Sequence, residues 1–225
     1  MSISENLKTI LGTIPEGVKL VAVSKTKPNE DILEAYQAGH KIFGENKIQD
    51  LARKYEELPK DIEWHMIGHL QSNKVKYVAP FVSMIEAVDS FKLLKVIENE
   101  AIKNNRRINC LIQIHIAEEE AKFGFNIEEL RILLKSTEYI EISNVNICGL
   151  MGMATYTNDE NQIRKEFRNL KQYFDQINSE FFPHDPNFKE ISMGMSGDYV
   201  AAIKEGSTMV RIGNSIFGMR NYAIK

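Results

Sequence analysis

LVAVSKTKP, residues 20–28, sets a short apolar run against a lysine-containing turn. Leu20, Val21, Ala22 and Val23 are interrupted by nothing polar, the composition of a strand covered on both faces. Lys25 stands where that strand runs out. A lysine half in an apolar setting holds its ammonium form less readily, which leaves a more nucleophilic amine. Such an amine can form a Schiff base with a carbonyl. A solvated residue at a strand end is the ordinary alternative, and the rest of the chain must decide between the two.

Working outward, a short apolar run followed by a helical segment recurs eight times. A leading helix is predicted over 4–13 from the spacing of Ile3, Leu7, Ile10, Leu11 and Ile14, broken by Pro15 and Gly17. Strands are predicted at 19–24, 41–43, 62–67, 82–87, 108–116, 145–151, 189–192 and 208–212. Between them fall a helix capped by Asn29 and ended by Gly39, and another opened by Asn46. Helices over 72–77, 90–104 with Asp89 as cap, and 126–136 with Asn126 as cap come next. The clearest helix carries Ile163, Phe167, Leu170, Phe174, Ile177 and Phe181 on one face, and a last one covers 197–204. The strands read as continuous apolar runs, so they are expected to be parallel and covered by helices. An open doubly wound sheet could hold eight strands. The regularity and length favour a closed (β/α)₈ TIM barrel, one domain over residues 1–225 with a short leading helix.

Composition narrows the classes. The chain has 225 residues, 43% hydrophobic and 26% charged, with a net charge of −3, so no field invites nucleic acid or an anionic membrane. The two cysteines, Cys110 and Cys148, sit in apolar runs without metal-ligand spacing, which reads as buried free thiols in a reducing compartment. Neither a signal peptide nor a membrane span is visible. The expectation is a cytoplasmic monomer without nucleic-acid or membrane partners.

In a barrel, function belongs at the C-terminal ends of the strands. Those points hold Ser24–Lys25, Gly44–Asn46, Gly68–Asn73, Met151–Met153, SMGMSGD (192–198) and RIGNSIFG (211–218). The loops after strands seven and eight have the parts of an anion site. Ser196 and Gly197 are read at a helix start, where free N–H groups favour an anion. Gly213 permits close backbone approach, and Asn214 with Ser215 offers further donors. Turn glycines and an ordinary serine cap would account for the same residues. Arg211 lies within strand eight and needs a partner, either a structural carboxylate or a heteroaromatic nitrogen of a cofactor. His65 and His69 lie at a strand end without a third ligand, so a metal is not expected. An amine nucleophile, a phosphate cradle and a cation for a ring nitrogen together describe a pyridoxal 5′-phosphate site. An arginine at that nitrogen disfavours its protonation and makes the ring a poorer electron sink.

AVSKTKP, FGENKIQD, WHMIGHLQSNK, GLMGMA, SMGMSGDYVAAI and VRIGNSIFG, running from residue 22 to 218, resemble the pyridoxal phosphate homeostasis protein family. The resemblance implies the barrel of the alanine racemase N-terminal domain, an imine at Lys25 and Asn46 near the cofactor. It also implies that Ser196, Gly197, Gly213 and Asn214 hold the phosphate and that Arg211 faces the ring nitrogen. Asn214–Ser215 stand where the family more usually has threonine then alanine, a change that keeps the backbone donors. The implied function is to hold, buffer or deliver the cofactor to acceptor enzymes that depend on it, without robust catalysis. A low-activity amino-acid racemase is the alternative. The barrel is expected to use the whole length, leaving no second domain to supply the tyrosine base of alanine racemases.

Overall fold

The computed structural model describes residues 2–118 and 123–219. Eight parallel strands close into a barrel in sequential order, β1 (Lys19–Val23), β2 (Ile42–Glu45), β3 (Glu63–Met66), β4 (Met84–Val88), β5 (Ile108–Gln113), β6 (Val145–Met151), β7 (Glu190–Met195) and β8 (Met209–Ile212). Closure comes from β1 pairing with β8, with Lys19 opposite Met209 and Ala22 opposite Ile212. This is the (β/α)₈ architecture expected from the continuous apolar strands, whose two faces are both covered.

Helix α1 (Ile3–Leu11) precedes β1, and its Ser2 and Glu5 form a reciprocal capping box. The crossovers are α2 (Asn29–Gln37), α3 (Ile48–Glu57), a 3₁₀ helix (Ser72–Tyr77), α4 (Phe91–Lys103), α5 (Ile127–Leu134) with the short α6 (Thr137–Ile140), α7 (Glu160–Phe181) and α8 (Tyr199–Lys204). A four-residue α9 (Asn214–Phe217) follows β8. Alternation along the strands divides the core in two. Leu20, Ala22, Phe43, Trp64 and Ile85 face outward and pack with Ile32, Leu51, Leu94, Phe167 and Leu170 of the helices. Val21, Met84, Ala87, Leu111, Cys148, Met151 and Met209 fill the barrel interior.

Several local expectations shift. Asn29 is the first residue of α2 rather than its cap, which is Pro28. Lys47, not Asn46, stands at the cap of α3. Ser90 caps α4 by accepting from the Leu93 N–H, so Asp89 is released for another contact. Asn126 caps α5 as its spacing to Glu129 suggests. Strand β5 ends earlier, at Gln113, and β7 runs on to Met195, while α6 and α9 are too short for periodicity to announce. Both cysteines are free and buried, and burial pushes the Cys148 thiol up to about 11. Among the described residues no helix is long and apolar enough to cross a membrane.

Candidate functional site

A cavity of about 460 Å³ opens at the C-terminal ends of the strands, within the range of small-molecule pockets. Lys25, Asn46, Ser196, Gly197, Arg211, Gly213 and Asn214, the residues selected from the sequence, all line it. They arrive there for different local reasons.

Period-two alternation along β1 points Lys19, Val21 and Val23 inward, and Lys25 keeps that phase at the mouth. The next residue, Thr26, has φ of 66°, a left-handed conformation that a β-branched residue rarely adopts. The segment is held from behind. Glu45 Oε1 accepts from Ser24 Oγ at 2.7 Å and from Lys54 Nζ at 2.6 Å, and Lys54 also donates to the Ser24 carbonyl at 2.8 Å. Burial pushes the Glu45 carboxyl above its ordinary value, and the charge and hydrogen bonds of Lys54, with the Ser24 hydroxyl, offset only part of that. Among the described residues Glu45 Oε2 has no hydrogen-bond partner. Asn46 leaves β2 beside Gly68, where a Cβ would fall 2.6 Å from the Asn46 carbonyl oxygen, so the two turns meet backbone to backbone.

The anion-competent loops meet differently from the sequence expectation. Ser196 and Gly197 lie in the turn before α8 and do not cap it. Asp198 occupies the cap position, and its side chain instead accepts from the Met195 N–H. Ser196 Oγ accepts from the Gly213 N–H at 3.3 Å, tying the β7 and β8 loops together. A Cβ at Gly213 would lie 2.9 Å from the Val23 carbonyl oxygen, so glycine lets the β8 loop sit directly against β1 and its lysine. Asn214 begins α9, which places its N–H among the free donors of a helix start.

Arg211 is 4% exposed. It lines the cavity, and it has a carboxylate partner. Its Nη1 donates to Ser192 Oγ and its Nη2 to the Gly152 carbonyl at 3.1 Å, while Glu86 Oε2 lies 3.8 Å from Nη1. Ser192 Oγ donates on to Glu86 Oε2 at 2.6 Å, and His65 Nδ1 donates to Glu86 Oε1 at 2.7 Å. Burial alone would raise the Glu86 carboxyl, but the His65 hydrogen bond and charge, the Arg211 charge and the Ser192 hydroxyl hold it below its ordinary value. Burial lowers the Arg211 guanidinium, opposed by Glu86 and Asp198.

The wall extends beyond those seven residues. Met153, Met195 and His69, from the strand-end segments, also line the cavity, and Lys27, Gln113, Phe123 and Tyr156 join them without a sequence signal of their own. The two histidines go to separate carboxylates, His65 to Glu86 and His69 to Asp89. Among the described residues no group of three or more His, Cys, Asp and Glu could hold a metal ion. Glu86 carried a readable signal: a carboxylate inside the apolar run of β4 needs a buried cation, and Arg211 inside β8 needs an anion.

The donor set suits a ligand with a carbonyl, a phosphate and an acceptor ring atom. It offers an amine, a turn of N–H groups opened by Gly197, where nothing lies within 4 Å of an added Cβ, and a buried guanidinium. The sequence model of the alanine racemase N-terminal domain matches residues 1–221. The pyridoxal phosphate homeostasis protein of Aquifex aeolicus (strain VF5) is 41% identical over 208 residues, which cover 91% of this chain and 88% of that one. The protein of the same name from Haemophilus influenzae is 41% identical over 209 residues, 92% of this chain and 86% of its own. Among solved structures, PipY of Synechococcus elongatus PCC7942 with PLP bound superposes with a TM-score of 0.87 at 32% identity, covering 96% of this chain and 100% of that one.

Proposed function

This chain belongs to the alanine racemase N-terminal domain family, and on that premise we propose that it binds pyridoxal 5′-phosphate at Lys25 and buffers or delivers it. The observation that carries the reading is convergence. An amine from β1, N–H donors from the β7 and β8 loops and a guanidinium from β8 share one cavity. Relatives named for pyridoxal phosphate homeostasis, and PipY with PLP bound, support it.

Bound there, the cofactor would supply an aldehyde that joins reversibly to a lysine amine and a ring that can withdraw electrons. Lys25 anchors that aldehyde through an imine linkage. Ser196, Gly197, Gly213 and Asn214 present hydroxyl and N–H donors to the phosphate. Arg211, always a donor, suits a ring nitrogen that accepts, and so keeps that nitrogen unprotonated. Asn46 orients the ring from the β2 side. A reversible anchor with weakened electron withdrawal fits storage and transfer better than fast carbanion chemistry. The acceptors would be enzymes that use the cofactor, and the protein would work as a cytoplasmic monomer.

The test is chemical. Protein incubated with PLP should gain an imine absorption band, and borohydride should fix the cofactor on the peptide containing Lys25. Lys25→Ala should lose the band and weaken binding at least about tenfold. Unchanged spectrum and affinity in that variant would refute the assignment.

A further inference from the structure

One pair in the cavity wall is arranged for proton transfer. His69 stands just past β3, and its Nδ1 lies 2.7 Å from Oδ2 of Asp89, just past β4. The Asp89 side chain is 8% exposed and that of His69 43%. A carboxylate only accepts, so Nδ1 carries the hydrogen, and in the neutral ring Nε2 is the nitrogen with the lone pair. Among the described residues Nε2 has no hydrogen-bond partner. The imidazole also stacks on Phe123, with centroids 4.1 Å apart and planes at 18°. A carboxylate on one edge and an aromatic face thus fix the ring, in the wall of the cavity that Lys25 enters. His65 gives the contrast: its carboxylate pair is buried in the barrel, and it does not line the cavity.

We propose that His69, positioned by Asp89 and Phe123, carries the proton when an external primary amine displaces Lys25 from the bound aldehyde ligand. This rests on the reading that Lys25 anchors such a ligand. In the exchange, the incoming nitrogen bonds to the ligand carbon and the bond from that carbon to Lys25 Nζ breaks. Taken from the protonated imine of Lys25 to the protonated imine of the incoming amine, the exchange moves one proton, from the incoming nitrogen to Lys25 Nζ, which leaves as a neutral amine. His69 Nε2 takes it from the first and returns it to the second, so the imidazole ends as it began and no further reactant is consumed. Lys25 cannot serve as its own base here, because its nitrogen is the leaving group.

Protein loaded with PLP and mixed with ethanolamine in a stopped-flow absorbance experiment tests this. His69→Asn should slow loss of the Lys25-linked band at least about tenfold, since a positioned acid–base group contributes about 10²–10⁴-fold. Its Kd for PLP should stay within about threefold of wild type. Added imidazole should restore much of the rate in His69→Gly. In unloaded protein, ¹⁵N spectra should show His69 as the Nδ1–H tautomer, a preference lost in Asp89→Asn. An exchange rate in His69→Asn within about twofold of wild type, with band and Kd intact, overturns the proposal. Loss of PLP affinity in step with rate also overturns it, by making His69 a binding group. If wild type itself shows no band, the reading of Lys25 fails and this proposal falls with it, a result distinct from a normal band with unchanged exchange.

Discussion

Glu45 and Glu86 are both strand glutamates with no exposed surface, and their carboxyls are shifted in opposite directions. Glu86 has a partner for each oxygen, His65 on one and Ser192 on the other, with a guanidinium close by. Among the described residues Glu45 takes both of its donors on one oxygen and leaves the other without any. Burial acts on both in the same sense, so the difference lies in how many donors reach the carboxylate and how they are distributed. The partners differ too: Glu86 faces the planar, multi-donor guanidinium of Arg211, and Glu45 a single ammonium from Lys54. The cluster under the cavity floor is therefore a locked charge pair, and the one behind Lys25 is a softer brace.

The same substitution at the two sites should separate them. Glu86→Gln leaves Arg211 buried without its carboxylate and is expected to cost about 3 kcal/mol in urea unfolding, toward the range for breaking a buried ion pair. Glu45→Gln should cost about 1–2 kcal/mol, because Lys54 keeps the Ser24 carbonyl and the new amide oxygen can still accept from it. Equal losses would mean that the two clusters are energetically alike. The smallest effect is in the pH dependence. Glu86, lowered in the folded protein, contributes stability above the ordinary carboxylate value that is lost as pH falls through its folded pKa. Glu45, raised, contributes stability below that value that is lost as pH rises through its folded pKa. Glu86→Gln should thus flatten the decline on the acid side, and Glu45→Gln the decline from the ordinary carboxylate range toward neutrality. A series of unfolding curves across that range, with both variants parallel to wild type, would remove the contrast.

The barrel was legible because its signals are local. Apolar runs marked the strands, the face from Ile163 to Phe181 marked α7, and Asn126 followed by Glu129 marked the start of α5. The cavity residues were legible because a barrel assigns function to strand ends. Adjacent cap-forming residues were harder: Asp89 and Ser90 both suit the start of α4, and the choice depends on His69, 20 residues earlier. The two glutamate clusters were not assembled from sequence. Glu86 meets Ser192 across 106 residues, and only closure of the barrel turns β4 and β7 toward one interior. Lys54 looked like any charged residue of an amphipathic helix, although its amine is enclosed between α3 and β2.

Closure of the barrel through β1 and β8 also sets an order of events in the life of the chain. Lys25 is synthesised early and the turn that begins at Gly213 late, and contacts that distant in sequence form slowly. Until β8 docks between β7 and β1, the cavity that Lys25 lines has no wall on the β8 side. On the function proposed above, capture of a carbonyl ligand at Lys25 would therefore wait for completion of the fold, and a nascent or partly unfolded chain would be spared that modification.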